Sequence, residues 1–184
     1  MLFKNAVQMS HMFVSQVVHP TDTVIDATCG NGHDTVFLAG LVREGKVLSF
    51  DIAEEAIEKT ERLIAKNQLS DLVVIIHANH VDIPQFVTSP VKAIMFNLGY
   101  LPGSKTSITS AADSLQAVTS SLSLLASGGV MTIVFYTGHP GGREEADLII
   151  DFVSGLPQQE FEVVKMKFLN QINDPPALLV VQKI

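Results

Sequence analysis

The residues best placed to do chemistry are two carboxylates set around a glycine turn. The stretch Asp26-Ala27-Thr28-Cys29-Gly30-Asn31-Gly32-His33-Asp34 follows the apolar run Thr23-Val24-Ile25 and precedes Thr35-Val36-Phe37-Leu38-Ala39. That order reads as strand, glycine-rich turn, helix. Gly30 and Gly32 tolerate backbone angles that a side chain forbids, and they let a ligand approach the main chain. The helix behind them offers unpaired N–H groups at its start. A further acid, Asp51, ends the next apolar run, Val47-Leu48-Ser49-Phe50. A carboxylate about 20 residues beyond the turn can accept hydrogen bonds from both hydroxyls of a ribose. The pattern implies a nucleoside-cofactor site.

The dinucleotide fingerprint G-x-G-x-x-G needs a third glycine, and Thr35 stands there. Asp26 and Asp34 flank the loop, where they would repel a pyrophosphate. S-adenosylmethionine carries no phosphate and has a cationic sulfonium and an ammonium, so acids beside the turn suit it. An ordinary strand–turn–helix of another α/β domain is the alternative. Residues 26–32 resemble motif I of class I S-adenosylmethionine methyltransferases, and Asp51 resembles their ribose-binding acid. The cofactor candidates are Asp26, Gly30, Asn31, Gly32, His33, Asp34, Asp51 and Ala53, joined by Asn79 and His80 at the third strand's end.

Positioning these groups requires alternating strands and helices. Periodicity predicts a helix over residues 3–18, stopped by Pro20, with Val7, His11, Val14 and Val18 near one face. Strands follow at about 23–27 and 46–51, with a helix at 34–42 between them. Residues 54–67 form an amphipathic helix. The wholly apolar run 72–76 reads as a strand buried on both faces. Further strands are expected at 92–97 and 130–136, and helices at 108–126, closed by Gly128-Gly129, and 143–156. Strands at 160–169 and 177–183 end the chain, with Pro175-Pro176 in the loop between them. Alternation argues for a parallel sheet with right-handed crossovers. The short final connection argues for an antiparallel last pair. The expected fold is α/β and Rossmann-like, a seven-stranded, mostly parallel sheet with an antiparallel last strand and helices on both faces. Its 184 residues form one domain, residues 1–184, with 1–19 as an N-terminal helix.

In open α/β sheets the ligand sits outside the carboxyl ends of the strands. The fourth strand delivers Asn97-Leu98-Gly99-Tyr100 there. Enzymes that methylate an exocyclic amine of a base often carry Asn-Pro-Pro-Tyr at this place. The logic is that the Asn oxygen and a backbone carbonyl accept the amine's hydrogens while the ring stacks on the substrate. Asn97 and Tyr100 are therefore the catalytic candidates; an Asn that caps its own turn, with Tyr100 packed beneath the loop, is the plainer alternative. The fifth and sixth strands deliver His139, Arg143, Gln171 and Asn173, which with Lys105 form the acceptor-binding set. Arg143 opens a helix, the wrong end for a cation. That suggests either a substrate phosphate or an i, i+4 partner in Asp147. His33, His77, His80 and His139 match no zinc spacing, and Cys29 stands alone, so no metal is expected.

Composition narrows the partners. Apolar residues make up 47% and charged residues 17%, as suits a covered sheet, and no run approaches a membrane span. One cysteine excludes an internal disulfide and fits a reducing cytoplasm. The net charge of −7 is awkward for a nucleic acid but leaves room for a local patch of Lys105, Arg143, Lys165 and Lys167. The sequence leaves open whether the chain forms a homodimer.

Taken together, residues 26–35, 97–103, 138–142 and 170–173 before Pro175-Pro176 resemble one small rRNA-methylase family over almost the full chain. The resemblance implies S-adenosylmethionine as cofactor and a tRNA anticodon stem-loop as partner. It also implies methylation of the aminomethyl nitrogen of 5-aminomethyl-2-thiouridine at the wobble position. The residues alone reach only a methyl donor and an amine-type acceptor. An rRNA base, a small molecule or a protein nitrogen are the alternative acceptors, and a cofactor-free binding module is the non-enzymatic reading.

Overall fold

The computed structural model describes residues 4–99 and 110–184. In chain order these form helix α1 (Ala6–Val17), strand β1 (Thr23–Asp26), α2 (His33–Leu41), β2 (Lys46–Asp51), α3 (Glu54–Lys66) and β3 (Val73–His77). A 3-10 turn (His80–Asp82) and the short α4 (Ile83–Phe86) lead to β4 (Val91–Leu98). The chain continues through α5 (Ala111–Leu122), β5 (Leu125–Phe135), α6 (Gly142–Ser154), β6 (Phe161–Met166) and β7 (Ala177–Lys183).

Local signals explain the helix starts. Asn5 Oδ1 accepts the Gln8 N–H at 2.8 Å and opens α1, and Ser110 Oγ accepts the Asp113 N–H at 3.1 Å and opens α5. In α3, Glu54 and Glu55 occupy the first turn and Lys66 the last, the arrangement the helix dipole favours. Two exposed i, i+4 pairs, Glu55–Lys59 and Glu58–Arg62, line its wet face and add a few tenths of a kcal/mol each, roughly.

The seven strands lie in the order β3-β2-β1-β4-β5-β7-β6. All pairings among β1 to β5 are parallel, and β7 runs antiparallel to both β5 and β6. Alternation sends successive residues to opposite faces. Val24, Ala93 and Met95 join the core under α1 and α2. Ile25, Ile94 and Phe96 join the core under α5 and α6. The order reverses between β1 and β4, and the crevice above that switch point is where such sheets bind ligands.

Three sequence expectations change. β3 is an edge strand and not a doubly covered one: Val74 is 45% exposed, because among the described residues no strand pairs beyond β3 and α3 covers only one face. Gly128-Gly129 lies inside β5 and not at a helix end; pairing with β4 shifts register between Val91 and Ala93 opposite it, and Gly128 takes a φ of 66°. The turn and α4 between β3 and β4 escaped the periodicity reading because four residues are too few to show a helical repeat.

Candidate active site

The loop from β1 to α2 is held from beneath. Asp26 is fully buried. Its Oδ2 accepts the Thr35 hydroxyl at 2.6 Å, and its Oδ1 accepts the Thr28 N–H at 3.2 Å. Burial, with Asp34 nearby, pushes its carboxyl up to about 7. Asp26 therefore braces the loop from behind. Gly32 also lies behind the wall. It caps α2 at φ 81°, and a Cβ there would come within 3.0 Å of the Thr60 backbone. Its missing side chain admits α3, and Gly32 is not among the residues lining the cleft. Asn79 is not in that lining either: its Oδ1 accepts the Val81 N–H at 3.1 Å and caps its own turn.

Over the switch point opens a cleft of about 430 Å³, within the usual range for small-molecule sites. Among the sequence candidates, Gly30, Asn31, His33, Asp34, Asp51, Ala53, His80 and Asn97 line it. Gly30, at φ 51°, puts bare backbone on the wall. Its N–H donates to Asp51 Oδ2 at 2.9 Å, and the Ala53 N–H donates to Asp51 Oδ1 at 3.0 Å. Two backbone donors fix the carboxylate and use two of its roughly four lone-pair sites. The remainder face the cleft and suit a pair of ribose hydroxyls.

His80 is 5% exposed, and its buried Nε2 has no hydrogen-bond partner. Burial lowers its pKa, so the ring is neutral at pH 7. A neutral imidazole nitrogen without a partner fits the polar edge of a purine. Cys29 also lines the cleft, but burial pushes its thiol up to about 12. It is no nucleophile at neutral pH. The fixed acid, the bare glycine and the orphaned imidazole together fit an adenosine-type cofactor with a cationic tail near Asp34.

At the cleft's other end the Asn97 N–H donates to Thr28 Oγ1 at 2.7 Å. The Asn97 side-chain Nδ2 donates to Asp34 Oδ2. Its Oδ1 is buried with no partner. An unpaired buried acceptor costs about 1–3 kcal/mol and calls for a ligand. Beside it stands Tyr136, 38% exposed, its phenol pKa raised by burial and by Asp34. The sequence places Tyr136 at the end of the fifth strand but assigns it no role. Val7 on this wall and His11, whose Nε2 lies 2.6 Å from Asp34 Oδ1, are likewise placed only on a helix face. The only signal for His11 was a histidine on an otherwise apolar helix face.

The second catalytic candidate, Tyr100, and the acceptor candidate Lys105 fall outside the described residues. His139, Arg143, Gln171 and Asn173 do not line the cleft. Arg143 pairs with Asp174 at 2.7 Å, so neither Asp147 nor a free cation is the outcome; Lys167 pairs with Asp174 at 2.9 Å. Thr137 Oγ1 donates to the same carboxylate at 2.9 Å, tying the β5–α6 loop to the β6–β7 loop. His139 Nδ1 lies 3.0 Å from the Pro140 carbonyl oxygen. Among the described residues no cluster of His, Cys, Asp and Glu could hold a metal, and no helix is long and apolar enough to cross a membrane.

Solved structures share this architecture. A "putative rRNA-methylase" from Clostridium thermocellum is 42% identical, with a TM-score of 0.95 over 98% of each chain. A "putative methyltransferase" from Streptococcus mutans, in complex with SAH, is 41% identical, with a TM-score of 0.91 over 98% of this chain and 99% of that one. Fold, glycine turn and paired acids define a class I, S-adenosylmethionine-dependent methyltransferase. Residues 47–182 match the family model described as "Putative rRNA methylase", and the chain belongs to that family. It is also 37% identical over 180 residues to the chloroplastic tRNA (mnm(5)s(2)U34)-methyltransferase of Arabidopsis thaliana. That match covers 91% of this chain and 66% of the relative, so the chain spans just under two thirds of its length.

Proposed function

We propose that this methyltransferase acts on tRNA, methylating the aminomethyl nitrogen of 5-aminomethyl-2-thiouridine at the wobble position. The single observation that carries an amine acceptor is the Asn97 amide: its nitrogen is engaged by Asp34, and its buried oxygen has no partner. An oxygen so placed accepts an N–H of the acceptor and aims the nitrogen lone pair. The name of the Arabidopsis relative supports the nucleoside.

S-adenosylmethionine supplies an electrophilic methyl on a sulfonium. The chain's own task is to hold donor and amine in line. Asp51 and Gly30 fix the donor, Asn97 orients the amine, and Tyr136 offers an aromatic wall. Such positioning is worth effective molarities of roughly 10⁵–10⁸ M, against about 10²–10⁴-fold for a general base. An alkyl amine of lysine type has a pKa of about 10.4, leaving about one molecule in 10³ neutral at pH 7. A cationic donor nearby and a partly dry cleft both disfavour the ammonium form. Positioning and desolvation therefore dominate.

Nucleoside mass spectrometry of tRNA from cells lacking the protein tests the reading. The unmethylated aminomethyl nucleoside should accumulate, and purified protein should convert it. The family description names rRNA, which keeps an rRNA base as the second reading. Label appearing in rRNA, with wobble uridine unchanged, would select it.

A further inference from the structure

The N-terminal helix brings one polar side chain to the reacting end of the cleft. His11 Nε2 lies 2.6 Å from Asp34 Oδ1. Its ring stacks on Phe37, centroids 3.7 Å apart and planes 4° from parallel. Phe37 sits one turn after Asp34 on α2, so two groups of the same helix clamp the imidazole. The second oxygen of Asp34 takes the Asn97 Nδ2–H. One carboxylate, 7% exposed, bridges an imidazole on α1 and an amide on β4.

We propose that His11 is a positioning residue that fixes which end of the Asn97 amide faces the methyl acceptor. The proposal rests on the reading of Asn97 as the group that accepts the amine's hydrogens. An ionised carboxylate can only accept, so it takes the NH₂ end and leaves Oδ1 for the acceptor. The amide faces the right way only while that carboxylate oxygen stays aimed at it. The His11 N–H on Oδ1, with the ring held by its stack on Phe37, fixes the carboxylate so that Oδ2 meets the Asn97 amide. Without that anchor the carboxylate is free to turn, and the amide loses the partner that sets its orientation.

The same chain of bonds explains why a helix outside the alternating β–α units belongs to the domain. α1 packs on β4, β5 and β7, and it carries the donor that meets Asp34 at the start of α2.

The test compares the full chain with His11→Ala and His11→Gln. Gln keeps an N–H at the reach of Nε2. Three readouts are needed: the ¹⁵N-resolved signals of the Asn97 side-chain amide, S-adenosylmethionine affinity by calorimetry, and single-turnover methylation of tRNA bearing the aminomethyl nucleoside. His11→Ala should lose the downfield amide signal that a carboxylate partner produces. Its methylation rate should fall about tenfold to a hundredfold, the range for losing a hydrogen bond to a charged group. Cofactor affinity should hold. His11→Gln should restore both signal and rate. The proposal fails if His11→Ala keeps the amide signal. It also fails if both variants lose signal and cofactor affinity together, which would make His11 a packing residue. Should the wild-type chain methylate no tRNA, the acceptor assignment falls, and the amide signal still decides what His11 does.

Discussion

The two ends of the sheet's ligand rim are built differently. On the β1–β2 side, each functional carboxylate is gripped by main-chain or buried partners: Asp51 by two N–H groups, Asp26 by Thr28 and Thr35. On the β5–β7 side, the charged groups grip one another in the open. Arg143 and Lys167 share Asp174, with side chains 68%, 47% and 34% exposed respectively. Leu169 and Ile172 stand out at 95% and 83%. The first arrangement suits a fixed small molecule. The second fits the tRNA proposed above, which would supply the missing burial and compete for the cations.

The largest break in this comparison should come from Asp51→Ala. It removes the ribose acceptor and frees two loop donors, and cofactor affinity measured by calorimetry should fall about a hundredfold or more. Retained affinity would undo the rigid half of the account.

Asp26 gives a smaller, pH-dependent effect. Its carboxyl holds a proton more firmly folded than unfolded, about 7 against 3.8. Its contribution to stability is therefore full below pH 3.8 and is lost as pH rises through about 7. Asp26→Asn should flatten that loss, by at most about 1.4 kcal/mol per pH unit. Denaturant melts at pH 5 and pH 8 would show it. An unchanged slope would mean that another group titrates.

The smallest effect belongs to the open half. Asp174→Asn should leave the denaturant midpoint almost unchanged, since exposed pairs contribute little. It frees two cations, so RNA affinity should rise a few-fold. Its salt dependence should steepen by about 0.7 per added phosphate contact on a single strand. Weaker RNA binding would indicate that Asp174 orders the loop for its partner.

The same contrast decides what could be read from sequence. Strand and helix order, the antiparallel finish and the switch-point cleft all follow from apolar periodicity and turn residues, because one face or both of each element must be buried. Gly30, Asp51 and Asn97 were legible because their chemistry is tied to a fixed step along the chain. For Gly32 and Asn79 the residue type was legible but the packing partner, Thr60 for one and Val81 for the other, was not. Arg143 found its partner in Asp174, a pairing of |i−j| 31 that no local pattern encodes. His11 is the sharpest case: an amphipathic helix explains the histidine as core, and only the approach of α1 to α2 turns it toward Asp34.

Asn97→Ala, assayed for turnover and cofactor affinity on tRNA bearing the aminomethyl nucleoside, tests the central claim most directly. The orphaned oxygen should act only on the acceptor, so turnover should drop by about 10²–10³ while S-adenosylmethionine binds as before. Equal losses in turnover and cofactor affinity would contradict the account and make Asn97 a structural residue.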